Sequence, residues 1–223
     1  MKCNEDKNIF SNRLWGKTIL AIGDSLFHGN KDCKGNTWLE MMARRNKMTL
    51  YNYGHNGNAV AIQHTEQQQL ASMCVRYVDM VDGADYVVVI GGANDQRLNV
   101  PLGDVACTSP ETFFGALNIL MAGLTKKYPK ARMLFMTNYN RWPGKNEIGL
   151  SDINYVEAMK IVCANWSIPC FDNYHNCGIS FQNPAHEAWM DEGVVRGDGP
   201  NRHFSAEAYE WLSHKYEAIL ASL

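Results

Sequence analysis

Four short stretches of the chain set chemically capable side chains beside glycine. Gly23-Asp24-Ser25-Leu26 offers a serine hydroxyl, a poor nucleophile until a neighbouring base takes its proton. Asn52-Tyr53-Gly54-His55-Asn56-Gly57 offers glycine N–H groups with no side chain in the way. Gly91-Gly92-Ala93-Asn94-Asp95 offers a side-chain amide behind two glycines. Asp198-Gly199-Pro200-Asn201-Arg202-His203 brings an imidazole, the side chain best suited to general-base work near neutral pH, close in sequence to a carboxylate. Read singly, each has a plain structural meaning: a helix cap, a left-handed turn, an Asx-turn, a surface histidine. Together they make up the parts of acyl transfer. A base activates a hydroxyl for attack on a carbonyl, and preorganised donors hold the oxyanion that results.

Such groups meet only if the chain brings them to one place, and the hydrophobic pattern indicates how. Five β-type runs occur, at Thr18–Ile22, Met48–Tyr53, Tyr86–Ile90, Met133–Thr137 and Ile168–Phe171. Val87-Val88-Val89-Ile90 is continuously apolar, as suits a strand covered on both faces. Helical patterns separate the runs. Thr37–Arg45 carries Trp38, Met41 and Met42, and Thr65–Val81 carries Leu70, Met73, Cys74, Tyr77 and Val81 on one face. Ser109-Pro110-Glu111 reads as a cap opening a helix striped by Phe114, Leu117, Met121 and Leu124. Ser151 caps a helix through Ile153, Val156 and Cys163, and Ser205 caps a last one through Tyr209, Leu212, Tyr216, Ile219 and Leu223. Alternating strands and helices mean right-handed βαβ units. The simplest result is α/β: a flavodoxin-like three-layer α/β/α sandwich with a five-stranded parallel sheet. Three of the four stretches then begin at the carboxyl ends of successive strands, where such folds bind ligands.

Composition sets the outer bounds. The chain has 223 residues, 46% hydrophobic and 20% charged, with 18 Gly and 7 Pro, which excludes disordered, collagenous and disulfide-stapled classes. One domain over residues 1–223 is expected, with 1–16 as an N-terminal extension. The 21 Lys+Arg against 23 Asp+Glu give −2, so bulk charge favours no nucleic-acid partner and leans towards an uncharged ester. Seven cysteines at 3, 33, 74, 107, 163, 170 and 177 include no C-x-x-C pair. Cys74 and Cys163 fall on apolar helix faces as small hydrophobes, and a Cys170–Cys177 disulfide is open but unforced. Met1–Lys7 is polar with no apolar stretch behind it, and no run nears the ~20 residues of a membrane span. On this reading the chain is cytoplasmic as it stands, and secreted or periplasmic if a leader has been removed.

On these residues the sequence resembles the GDSL or SGNH hydrolases, serine esterases and acyl hydrolases on a flavodoxin-like sandwich. The matches are Gly23-Asp24-Ser25-Leu26, Gly57 within Asn52–Gly57, Gly92-Ala93-Asn94-Asp95, and His203 followed by Phe204-Ser205. They span Gly23 to about Ser205 in the family's order. The resemblance implies Ser25 as nucleophile and His203 as general base. It makes the N–H groups of Ser25 and Gly57, with the Asn94 side chain, the oxyanion hole, and it requires neither cofactor nor metal. One departure is visible. The family places its Asp three residues before the His, where this chain has Pro200. Asp198 lies five before, so it orients His203 only if the loop bulges at Gly199. Asp191 is the reserve, and a dyad with a backbone carbonyl at the imidazole is the third arrangement.

The remaining expectations concern the substrate. Asp24 and Trp142 are placed at it, and Arg141-Trp142-Pro143-Gly144 with Trp189 supply the exposed aromatics that a sugar ring or aryl group would stack on. His28 and His55 are wall residues or satisfied polar groups. A small-molecule or carbohydrate ester with a short acyl chain, such as an acetyl, fits best. Two other classes compete. A nucleotide-binding module lacks both a P-loop and a complete G-x-G-x-x-G after the first strand. A catalytically silent relative acting as a carbohydrate-binding or interaction domain is kept open by the Asp-to-His spacing.

Overall fold

The computed structural model describes residues 12–30, 33–63, 72–140, 144–180, 183–190 and 203–223. In chain order the elements are β1 Thr18–Gly23, α1 Ser25–His28, α2 Trp38–Arg45, β2 Thr49–Gly54, α3 Met73–Arg76, β3 Tyr86–Ile90 and α4 Ala93–Arg97. There follow α5 Phe113–Lys127, β4 Arg132–Met136, α6 Asp152–Asn165, β5 Cys170–Phe171, α7 Asn173–Asn176 and α8 Ala206–Ser222. The five strands pair in parallel in the order β2-β1-β3-β4-β5. The chain moves outward from β1 to β2, then crosses back to β3. The carboxyl ends of β1 and β3 therefore flank the point where the winding reverses, and a crevice opens there.

Continuous apolar runs let the central strands be covered on both sides. Ile19, Ala21, Val88 and Ile90 face one buried layer with Trp38, Met42, Leu212 and Leu220 of α2 and α8. Leu20, Ile22, Val87 and Val89 face the other, with Leu117, Leu120 and Leu124 of α5 and Met159 and Val162 of α6. Burying each such side chain contributes about 1.5–3 kcal/mol, which makes these faces the main stabilising term. Cys74 and Cys163 sit inside the second layer, and Leu14 reaches the first from the segment before β1. Cys170 and Cys177 carry free thiols. Among the described residues no helix is long and apolar enough to cross a membrane.

The caps mostly fall as the sequence predicts. Ser151 and Asn154 close a capping box on α6 and Ser205 accepts from Ala208 N to start α8, while Thr37 and Glu40 close a box on α2 that was not predicted. Two expectations are corrected. The helix predicted over 65–81 is, where described, only the four residues of α3 and a 3₁₀ turn at Tyr77–Asp79, and 64–71 lie outside the described residues. Tyr77 is drawn onto Gly123 of α5, whose missing side chain leaves room for the ring: a Cβ there would lie 2.1 Å from it. Val81 is then left exposed, with its N–H bonded to Tyr53 Oη at 3.0 Å. The cap predicted at Ser109 falls at Thr112, whose hydroxyl accepts from Gly115 N at 3.3 Å, while Ser109 forms the turn before it.

Helix α8 is fastened to the sheet by polar groups as well as by packing. Tyr216 Oη donates to Asn173 Oδ1 at 2.7 Å and bonds Tyr139 Oη at 2.8 Å, and Asn173 Nδ2 donates to the Thr137 carbonyl at 2.9 Å. All of these side chains are buried, and burial holds both phenols far above their ordinary pKa. Tyr216→Phe keeps the ring and removes the bridge, leaving buried partners unsatisfied. It is expected to lower unfolding free energy by about 1–3 kcal/mol in urea titration; wild-type stability would show that the bridge carries no weight.

Candidate active site

Strand β1 ends at Gly23, where any side chain would collide: a Cβ would lie 2.6 Å from Ile90 Cγ2 and 2.7 Å from the Phe27 ring. Asp24 follows as the N-cap of α1, with its carboxylate accepting from Leu26 N at 2.9 Å. Ser25 is therefore the first residue of a short helix, 8% exposed, in the crevice beyond β1.

His203 reaches this serine from the far end of the chain. Its Nε2 lies 2.9 Å from Ser25 Oγ. The next residue, Phe204, is fully buried edge-on against Tyr139 and Tyr209, with centroids at 4.7 and 5.7 Å. Ser205 then starts α8. Tyr209 Oη of that helix donates to the Leu26 carbonyl at 3.1 Å, so the helices on either side of the Ser–His contact are bonded to each other. On the other face of the imidazole, Asn30 Nδ2 stands 3.0 Å from Nδ1. For Nε2 to accept a proton, Nδ1 must carry one. Turning the Asn30 amide by 180°, at almost no change of shape, presents its oxygen to that N–H.

The second and third strand ends are locked to the first. Gly57 has φ +73°, a left-handed conformation that glycine takes without strain, and it lines the crevice. Gly23 O accepts from both His55 N at 3.1 Å and Arg76 Nη2 at 3.0 Å. Arg76 Nε also donates to Asn58 Oδ1 at 2.8 Å, so one guanidinium ties the serine turn to the glycine turn. Burial lowers the Arg76 pKa to about 10. Burial, then the charges of Arg76 and His28, push His55 below the ordinary imidazole value.

At the end of β3, Asp95 is fully buried and receives Val60 N at 3.0 Å and Ala61 N at 2.9 Å, one on each carboxylate oxygen. Asn94 beside it donates through Nδ2 to the Asn58 carbonyl at 3.1 Å, and its Oδ1 accepts from Arg97 Nε and Nη2, both at 3.3 Å. An arginine only donates, so it fixes which way the amide faces.

Ser25, Gly57, Asn94 and His203 line one cavity of about 290 Å³. The sequence predicted all four. Asn30, Asn56, Ala93 and Arg97 complete the wall and were not predicted. Asn56 lies inside the second stretch, and Arg97 stands at i+3 from Asn94 on the same helix face, which was the available signal. Asn30 had none, since it falls past the end of α1. Asp24, expected at the substrate, is instead 1% exposed and spent on capping α1. Trp142, Asp198 and Asp191 lie outside the described residues. The expected aromatic exposure is also corrected. Trp189 is half-buried against Trp211, with centroids at 5.2 Å, and the exposed tryptophans among the described residues are Trp15, Trp166 and Trp211. His28 Nδ1 pairs with the Gly54 carbonyl at 3.0 Å, as a satisfied polar group.

One group among the described residues, Glu157, Asp172 and His175, brings metal-ligating atoms within 4.8 Å of one another. The Lys160 ammonium already bonds Glu157 at 2.8 Å and Asp172 at 3.2 Å, and none of the three lines the cavity.

The sequence model of the GDSL-like lipase/acylhydrolase family matches residues 21–211. One solved structure is 30% identical, pairing 95% of this chain with 99% of its own at a TM-score of 0.84. The inhibitor-bound aryl esterase of M. smegmatis is similar at 15% identity, with 93% and 99% covered and a TM-score of 0.65. A carbohydrate acetylesterase family member from Sinorhizobium meliloti is similar at 16% identity, with 93% and 100% covered and a TM-score of 0.61. No curated protein matches the chain.

Asp95 has a measurable signature. Burial raises its pKa from 3.8 to about 6, the two backbone N–H groups opposing the shift. Between those values the folded chain binds more protons than the unfolded one, so this group's contribution to stability falls as pH rises through the window. Wild-type stability, taken relative to Asp95→Asn in urea, is expected to increase by about 2 kcal/mol from pH 7 to pH 4.5. A difference independent of pH would assign the carboxyl an ordinary pKa.

Proposed function

As the chain belongs to the GDSL-like lipase/acylhydrolase family, we propose that it is a serine esterase that hydrolyses short-chain carboxylic esters through an acyl-enzyme on Ser25. The observation that carries this reading is the 2.9 Å contact between His203 Nε2 and Ser25 Oγ inside a cavity that Gly57 and Asn94 also line.

The steps follow from the groups present. His203 Nε2 accepts the hydroxyl proton as Oγ attacks the ester carbonyl. The carbonyl oxygen becomes an oxyanion held by the N–H groups of Ser25 and Gly57 and by Asn94 Nδ2. One hydrogen of that amide goes to Asn58 O and the other is left for the substrate. Collapse breaks the ester bond, and the imidazolium returns its proton to the leaving alcohol. Water then attacks the acyl-serine with His203 again as base, and the free acid leaves. Asp198 is assigned the acceptor at His203 Nδ1–H in place of the Asn30 amide that stands there at 3.0 Å, holding the base-ready tautomer and offsetting the imidazolium charge.

Short acyl chains are favoured because, among the described residues, Ala93 supplies the one aliphatic side chain on a wall otherwise made of hydrogen-bonding groups and glycine. A fatty acyl chain would need an apolar tunnel. Acetyl esters of carbohydrates are the finer reading, with Trp142 on the sugar side. The aryl esterase and the carbohydrate acetylesterase family member lend this the support of a shared fold alone.

Wild-type protein is expected to release a burst of p-nitrophenol from p-nitrophenyl acetate and to be labelled at Ser25 by a fluorophosphonate. Ser25→Ala should lower turnover by on the order of 10⁶-fold. Absence of both burst and label from the wild type would make the chain a silent relative. Asn94→Ala should lose about 10²–10³ in kcat with KM little changed, since its amide acts mainly in the transition state. The orienting acid is tested in parallel: Asp198→Asn lowers kcat and Asp191→Asn does not, and the reverse order moves the role to Asp191.

A further inference from the structure

We infer that Arg97 forms an anion subsite beside the oxyanion hole, so that the preferred substrate is a small ester carrying a carboxylate or similar monoanion close to the scissile bond. The inference rests on the esterase reading and specifies its substrate class.

The argument starts from the unused bonding capacity of the guanidinium. Arg97 lines the same cavity as Ser25 and His203. It also stands over the proposed oxyanion glycine, with Nη2 3.8 Å from where a Cβ of Gly57 would be. Its bonds go from Nε and Nη2 to the single oxygen of Asn94, each at a long 3.3 Å. A guanidinium has five N–H donors in a planar fork, so three remain to be filled. Among the described residues no carboxylate pairs with it. The two nearest acids in sequence to the proposed machinery are buried and committed elsewhere, Asp95 to Val60 N and Ala61 N, and Asp24 to Leu26 N.

Arg97 is exposed at the cavity rim, where its free donors are open both to water and to an entering anion. Arginine is charged at every working pH, and its fork accepts a carboxylate through two parallel bonds. The surroundings point the same way. Asn30, Asn56 and Asn94 are neutral hydrogen-bonding groups that suit a polar substrate, and the cavity holds only a small one. The overall charge of −2 describes the surface and does not oppose this, because a local cation within a few ångströms outweighs distant, screened charges.

The anion can sit on either side of the ester, so the test has two arms. In the acyl arm, p-nitrophenyl hemisuccinate is compared with p-nitrophenyl butyrate. In the alcohol arm, 4-acetoxybenzoate is compared with 4-acetoxybenzamide. The quantity read is the anionic-to-neutral ratio of kcat/KM for wild type, Arg97→Lys and Arg97→Gln. A ratio cancels any loss common to both esters, including one that passes through Asn94. In at least one arm the ratio is expected to fall about tenfold or more in Arg97→Gln, as for a lost charge-assisted bond, and to be partly kept in Arg97→Lys. Equal ratios in wild type and Arg97→Gln in both arms overturn the subsite while leaving the esterase reading intact. Failure of wild type to turn over all four esters, together with no fluorophosphonate label on Ser25, overturns the esterase reading and the subsite with it.

Discussion

Everything proposed for this site depends on one 2.9 Å contact made across 178 residues of chain, between Ser25 Oγ and His203 Nε2. Proton transfer tolerates little error in that distance, so both ends must be held by something stiffer than a loop. The serine end is held because Gly23 brings β1 against Ile90 and Phe27, and Asp24 caps the turn that follows. The histidine end is held because its neighbour Phe204 is buried among aromatic rings and Ser205 starts a helix of 17 residues. The Tyr209–Leu26 bond then joins the two supports directly. The C-terminal helix is thus a distant but integral support of the Ser25–His203 contact.

A second constraint lies behind the first. The proposed chemistry needs three turns at successive strand ends to present donors to one point, beyond His55 N–Gly23 O, where the backbone ladder between β1 and β2 ends. Polar side chains take the ladder's place: Arg76 between Gly23 and Asn58, Asp95 under Val60 and Ala61, Asn94 on Asn58. Buried charges are costly in themselves, and these are tolerable because each spans two backbone or side-chain partners. The raised pKa of Asp95 is the residue of that cost. Polar bonds of this kind have directions, which apolar packing lacks, so they set the donors' aim as well as holding the turns together.

How much of this could be read from the sequence follows from the range of each interaction. Strands β1, β3 and β4 were legible because two buried faces demand continuous apolar runs, and the caps of α6 and α8 because a cap is a local bond. The stretch around Tyr77 was not. Its spacing fits a helix, yet the tyrosine is seated on Gly123, a partner 46 positions away that no local pattern names. Ser109 lost the cap of α5 to Thr112 because both are good caps and only the packing of Ser109 beneath Gly115 decides between them. Four of the residues placed at the chemistry were visible because acyl transfer restricts their types. Arg76, Arg97 and Asn30 were invisible because arginines and asparagines are ordinary surface residues until the fold shows what they face.

The same asymmetry explains how a fold can keep one reaction while its substrates vary. Two of the three proposed oxyanion donors are backbone N–H groups, which no substitution removes as long as the turns keep their shape. The chemistry therefore needs few side chains: Ser25, His203, an acceptor for the imidazole, and Asn94. Short motifs suffice to carry them, and those motifs are what a family resemblance detects. Selection of the substrate falls to groups outside the motifs that share the cavity. Arg97 shows how closely the two roles can sit. Two donors of its guanidinium bond the oxygen of the Asn94 amide, and in the proposed subsite the other three are offered to the ester. A change at that position would shift specificity and rate together. Only a comparison of matched charged and neutral esters separates the two effects, because the orientation of Asn94 bears equally on both.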